Sequence, residues 1–149
     1  MSYKLGIVGS RVWTGKSGQV WNPKITNPKE FVFKKMDQYV AKHGMPSQVI
    51  SGGAKGADTF GVEWAAARGL KPKDIIIHRP EGKESAKVLM EKGYVSALFH
   101  RNKLIVRDSD RVVAFWDRKS RGTRDTLVTA WKSKPKKFDP ERDLFYVGT

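Results

Sequence analysis

Three short stretches of this chain combine glycine with hydroxyl and guanidinium side chains: Gly9-Ser10-Arg11, Ser51-Gly52-Gly53-Ala54-Lys55-Gly56-Ala57-Asp58 and Ser120-Arg121-Gly122-Thr123. All three compositions suit an anionic ligand. Glycine lets backbone N–H groups approach a phosphate closely, serine and threonine donate hydroxyl hydrogen bonds, and an arginine fork matches two oxygens of a phosphate or carboxylate. Arg11, Arg101 and Arg121 are the candidate forks, and Asn102 adds a polar neighbour to Arg101. Asp58 suits ribose hydroxyls, or equally a helix first turn, where an acid complements the dipole. Strand-to-helix turns also need glycine for geometry alone, so the signal rests on three such turns occurring together.

The surrounding elements set where these turns fall. Leu5-Gly6-Ile7-Val8 reads as a buried first strand leading into Gly9, and Gln48-Val49-Ile50-Ser51 as a second strand leading into Gly52. Ile75-Ile76-Ile77, the apolar run Arg111–Trp116 and Leu144–Val147 read as further strands. Helices are expected from the Asn27-Pro28-Lys29-Glu30 start to Gly44, through Ala67, from Ser96 to about Val106, and from Ser120 or Thr123 to about Lys132. Their apolar faces are expected to use Phe33, Met36, Tyr39 and Val40, then Phe60, Trp64 and Ala67, and finally Leu127, Val128, Ala130 and Trp131. Residues 11–26 read as a long loop, and residues 79–96 give no clear pattern. Strands alternating with helices predict a single α/β domain over residues 1–149. The expected fold is a Rossmann-like, mostly parallel sheet with helices on both faces, a core over about 4–132 and a last strand over about 143–147. The carboxyl ends of its strands would gather the three turns on one rim, where ligands bind in open parallel sheets.

Composition bounds the function classes. The 149 residues include no cysteine, which excludes a disulfide framework, a thiolate zinc site and a cysteine nucleophile. That suits a cytoplasmic location. His43, His78 and His100 lack metal-ligand spacing, so no metal is expected. Gly15-Lys16-Ser17 has Ser10 where a phosphate-binding Walker loop needs its first glycine. The first residues are too short a stretch for a signal peptide, and no run is apolar enough for a membrane helix. Lys plus Arg number 29 against 15 Asp plus Glu, a net charge of +14. Such a charge favours polyanions, nucleic acid among them, or a solvated surface. Trp13 and Trp21, in the long loop, are the candidates for stacking on a base, whereas Trp64 and Trp131 sit at helical core spacing.

Val8-Gly9-Ser10-Arg11, the Ser51–Asp58 stretch, Arg101-Asn102 and Arg121-Gly122-Thr123 together resemble the SLOG superfamily. That superfamily includes YspA and YpsA-type proteins, LOG-type phosphoribohydrolases and the DNA-processing protein A family. The resemblance runs in consistent order over about residues 5–132 and is greatest to the small YspA-like proteins. It implies a Rossmannoid fold and a site for a mononucleotide or an ADP-ribose- or NAD-like ligand, with no obligatory cofactor and a homodimer as a common state. The nucleotide N-glycosidases of the LOG branch carry Gly-Gly-x-Gly-Thr-x-x-Glu and an upstream arginine, which similarity places at Arg101. Here the glutamate position falls on Thr126, which cannot act as a carboxylate base. Glycosidic hydrolysis would then have to use Asp125 or Asp58 with Arg101. Likeness to the DNA-processing proteins implies single-stranded nucleic acid as the alternative partner.

Overall fold

The computed structural model describes residues 2–11 and 21–149. Among these residues five strands form one sheet: β1 (Lys4–Gly9), β2 (Gln48–Ser51), β3 (Ile75–Ile77), β4 (Arg111–Trp116) and β5 (Leu144–Tyr146). Their order is β3-β2-β1-β4-β5, and every pairing is parallel. The chain winds outward from β1 in one direction through β2 and β3, then returns to the other side of β1 for β4 and β5. The order therefore reverses between β1 and β4, and the segments leaving those two strands diverge at their carboxyl ends, opening a crevice.

Six α-helices connect the strands among the described residues: α1 (Pro28–His43), α2 (Ala57–Ala67), α3 (Ala86–Lys92), α4 (Tyr94–Asp108), α5 (Arg121–Lys132) and the short α6 (Pro140–Asp143). Side chains alternate across the strands and fill two separate cores. Leu5, Ile7, Val49, Val113 and Phe115 point to one face, where Val32, Met36 and Tyr39 of α1 and Trp64 of α2 cover them. Val8, Ile50, Val112 and Ala114 point to the other, against Ile105 and Val106 of α4 and Leu127 and Ala130 of α5. Burial on both faces explains why β1 and β4 read as nearly unbroken apolar runs. This is the α/β, Rossmann-like sheet wrapped on both sides that the alternating pattern predicts.

Local chemistry fixes the helix ends as the sequence predicts. The Asn27 side chain accepts from Glu30 N at 3.0 Å, Pro28 occupies the first turn, and Gly44 stops α1 at a φ of 88°. Ser120 caps α5 by accepting from Thr123 N at 3.4 Å. Elsewhere the structure corrects the reading. α4 begins at Tyr94, two residues before the expected Ser96, and the unpatterned 79–96 region contains α3, which buries no residue completely. Ala67, Val128 and Trp131 are exposed where core positions were expected. In α5 the buried set is Thr123, Thr126, Leu127 and Ala130, a three-and-four spacing that turns the adjacent Val128 and Trp131 about 100° away from the sheet. No helix among the described residues is long and apolar enough to cross a membrane.

Candidate functional site

The three turns meet over the crevice between β1 and β4. Gly9 N donates to Asp58 Oδ1 at 3.1 Å, and Ala57 N to Ser10 O at 3.4 Å, which ties the first turn to the start of α2. Asp117 N donates to Ser10 Oγ at 2.9 Å and Ser10 N to Phe115 O at 2.8 Å, which ties it to the end of β4. Gly9 is required by this closeness. A Cβ there would lie against Phe115 O and 2.6 Å from Ala57 Cβ.

Arg101 joins the second turn to α4. Its Nη1 donates to Gly52 O at 2.7 Å and to His78 O at 3.2 Å, and its Nε to Asn102 Oδ1 at 3.0 Å. Asn102 carries the link onward, with Nδ2 donating to Gly122 O at 3.2 Å and to Asp125 Oδ2 at 3.3 Å. Arg101-Asn102 thus braces the second turn against the third. Gly52 must lack a side chain because a Cβ would sit 2.6 Å from Arg101 Nη1 and 2.8 Å from Asp58 Oδ2.

The resulting cleft encloses about 440 Å³, within the range of small-molecule sites. Its polar side consists of Arg11, Asp58, Arg101, Asn102 and the Ser120–Thr123 turn, and its apolar side of Val8, Val95, Leu98, Phe99 and Ile105. The first turn of α5 opens into it. Thr123 N is capped by Ser120, while the N–H groups of Arg121 and Gly122 make no hydrogen bond among the described residues. A helix start of this kind offers free donors and a partial positive charge.

Asp58 is the one carboxylate among the described lining residues and is only 6% exposed. Burial pushes its pKa up to about 6, against the opposing pull of Arg101, the N–H groups of Ala54 and Gly9, and Arg11. Burial also lowers the pKa of Arg101, and Asp58 works against that shift. Arg101 and Asp58 are thus within electrostatic reach of each other in the interior of the cleft, while Arg11 and Arg121 are exposed.

Of the residues singled out in the sequence, Gly9, Arg11, Ala54, Asp58, Arg101, Asn102, Arg121, Gly122 and Thr123 line the cleft. Ser10, Ser51, Gly52, Gly56 and Ala57 are buried beneath it. The Ser51 hydroxyl is committed, donating to Asp58 O at 3.2 Å and accepting from Gly53 N at 3.1 Å. Gly53, at a φ of 69°, packs against Ile77 and Arg79 at the side of the site. Two candidates are corrected. Asp125 is not among the lining residues and instead accepts from Asn102. Trp21 is fully buried, edge-on to Phe31 and Phe60, with Nε1 donating to Ser10 O at 3.3 Å; it is a core residue that supports the first turn and cannot stack on a ligand. Trp13 lies outside the described residues. The sequence pattern does not mark the apolar wall of Val95, Leu98 and Phe99 as part of a site. The only available signal was a run of apolar side chains at the start of a helix that also carries Arg101.

Residues 9–81 match the family model described as the YspA, cpYpsA-related SLOG family. Just under half of the chain, 73 of its 149 residues, is thus similar to that family. The matched segment contributes the first two turns of the cleft, while α4 and α5 supply the remainder. The fold also matches a solved structure, DNA processing protein A from Helicobacter pylori, studied for its single-stranded DNA binding mode, with a TM-score of 0.53 and 22% identity. The match covers 97% of this chain and 64% of the other, so this chain spans somewhat under two thirds of that protein's length. At this identity the likeness is one of fold. No curated protein matches the sequence.

Proposed function

We propose that this protein binds a nucleotide or a nucleotide-derived ligand, of the mononucleotide or ADP-ribose class, in the cleft between β1 and β4. The observation that carries the reading is the two-sidedness of the cleft. Arginines and the open start of α5 face an apolar wall that includes Phe99, a residue 40% exposed. A phosphate fits at Arg121 and Gly122 N–H with Arg11 across the mouth, because charge-assisted donors and a helix start converge there. A base fits against Phe99, Val95 and Leu98, since an aromatic ring gains from a flat apolar partner. Asp58 is placed at the inner end, where its remaining acceptor capacity suits a ribose hydroxyl.

Binding is favoured over turnover. Thr126 lines the cleft at the position where a phosphoribohydrolase carries glutamate, and its hydroxyl is spent on Gly122 O at 3.1 Å. Asp125 is directed to Asn102, which leaves Asp58 as the acid for any N-glycosidic chemistry. A second reading, a polynucleotide laid along the same rim, draws on the +14 charge and on the single-stranded DNA binding named for the structural neighbour.

Titration calorimetry with AMP, ADP-ribose and NAD tests the first reading. One-to-one binding of at least one ligand is expected, with Arg121→Ala weakening it about tenfold, the usual worth of a charge-assisted contact. Absence of binding for all three ligands would overturn it. Release of free base during incubation would show that the cleft is also catalytic.

A further inference from the structure

Trp131 has no part in the cleft. It lies at the far end of α5, roughly 15 Å along the helix axis from Arg121, and the residue is 43% exposed. A large ring in water forgoes the gain of burial, yet the turn that follows holds it in a defined place. Ser133 N and Lys137 N both donate to Ala130 O, at 3.3 and 3.0 Å, and Val112 N donates to Lys137 O at 2.7 Å. Lys137 Nζ reaches back to Val106 O at 2.8 Å. The turn is therefore fastened to β4 and α4, and its side chains are presented on an anchored frame.

Lys136 Nζ lies 3.7 Å from the centroid of the Trp131 ring. Two hollows adjoin this pair, one of about 350 Å³ bounded by residues 131–136 and one of about 190 Å³ that also includes Phe138, Asp139 and Arg142. From Trp131 to Phe138 the chain carries four lysines and no acid. Among the described residues, Lys132, Lys134 and Lys136 make no salt bridge. An exposed indole thus stands among three ammonium groups that make no salt bridge.

We infer that this turn is a contact surface for single-stranded nucleic acid: a base stacks on the Trp131 ring, and the phosphates on either side of it lie against Lys132, Lys134 and Lys136. The ring selects the partner class. Acidic side chains would pair with the lysines but give the indole nothing to stack on, and a duplex keeps its base faces stacked inside. A single strand offers phosphates and exposed π faces in alternation, the combination that stacking platforms on basic grooves take up. The ammonium of Lys136 can exchange its ring contact for a phosphate as the base arrives, so little is lost on binding. This surface is separate from the cleft and does not depend on its occupancy.

Fluorescence anisotropy of the full chain with a labelled oligothymidylate of about 20 nucleotides tests the inference, beside calorimetry of the same variants with AMP. Trp131→Ala should weaken oligonucleotide binding about tenfold and Trp131→Phe much less, because stacking on an aromatic is worth roughly that factor per base. Replacing Lys132, Lys134 and Lys136 together by alanine should reduce the slope of log affinity against log salt by about 2. Circular dichroism should be unchanged, since every altered side chain is exposed. The inference is overturned if the oligonucleotide does not bind, or if Trp131→Ala binds as tightly as the wild type. Weakening by the lysine changes alone also overturns it, and would mark a general polyanion surface.

Discussion

Asp58 gives the cleft a measurable pH signature. Its carboxyl titrates near 6 in the folded protein against an ordinary value of 3.8, and burial is the main cause. Between those two pH values the native state holds a proton that the unfolded chain has released, so the slope of unfolding free energy with pH from this group is negative. The contribution is fully present below about pH 4, declines as pH rises through 6 and is absent above. The gap between 3.8 and about 6 corresponds to about 3 kcal/mol. Urea unfolding of the wild type and of Asp58→Asn at intervals from pH 4 to 8 isolates it, because the other titrating groups cancel in the difference. The wild type should lose about 2.5 kcal/mol relative to the variant between pH 4 and pH 7.5, the rest of the effect lying below pH 4. A difference that stays constant with pH would refute the reasoning, since Asp58 would then ionise like a solvated carboxylate and the cleft interior could not be as dry as its contacts imply.

Three further outcomes follow from the packing. Phe99→Ala should weaken AMP binding about fivefold while leaving ribose 5-phosphate affinity unchanged, as calorimetry with both ligands would show; equal losses would remove the base from the apolar wall. Gly9→Ala should cost at least about 2 kcal/mol in urea unfolding, because the new Cβ meets Phe115 O and Ala57 in a segment fixed by backbone hydrogen bonds. Trp21→Ala should destabilise by about 3–5 kcal/mol, whereas a ligand-stacking tryptophan would have left the unfolding midpoint where it was.

Much of the frame was legible because local chemistry and tertiary packing agree. The Asn27-Pro28 start, the Gly44 stop and the doubly buried β1 and β4 each carry a pattern that one layer of physics dictates. The convergence of three turns was likewise readable, since a reversal of strand order leaves few places for them to go. Errors arose where tertiary contacts override residue type. Trp21 sits in a loop, and a loop aromatic reads as accessible, yet the chain folds it over the sheet between Phe31 and Phe60. Trp131 reads as core, but the α5 register is set by Thr123, Thr126, Leu127 and Ala130. Buried threonines are invisible to an apolar-face count, and without them the face rotates by one residue. The hydroxyls of Ser10 and Ser51 look like ligand donors until their backbone partners come into view: Asp117, 107 positions beyond Ser10, and Gly53 and Asp58 in the turn that Ser51 itself opens. The Val95–Phe99 wall could not be assigned because its meaning depends on α4 facing the first and third turns across the crevice.

The placement of an anion at the start of α5 is tested most directly by a crystal structure of the protein with ADP-ribose. The account predicts a phosphate within hydrogen-bond reach of Gly122 N and the Arg121 guanidinium, with the adenine against Phe99. Ligand density on another face of the sheet, or a diphosphate pointing away from α5, would contradict it.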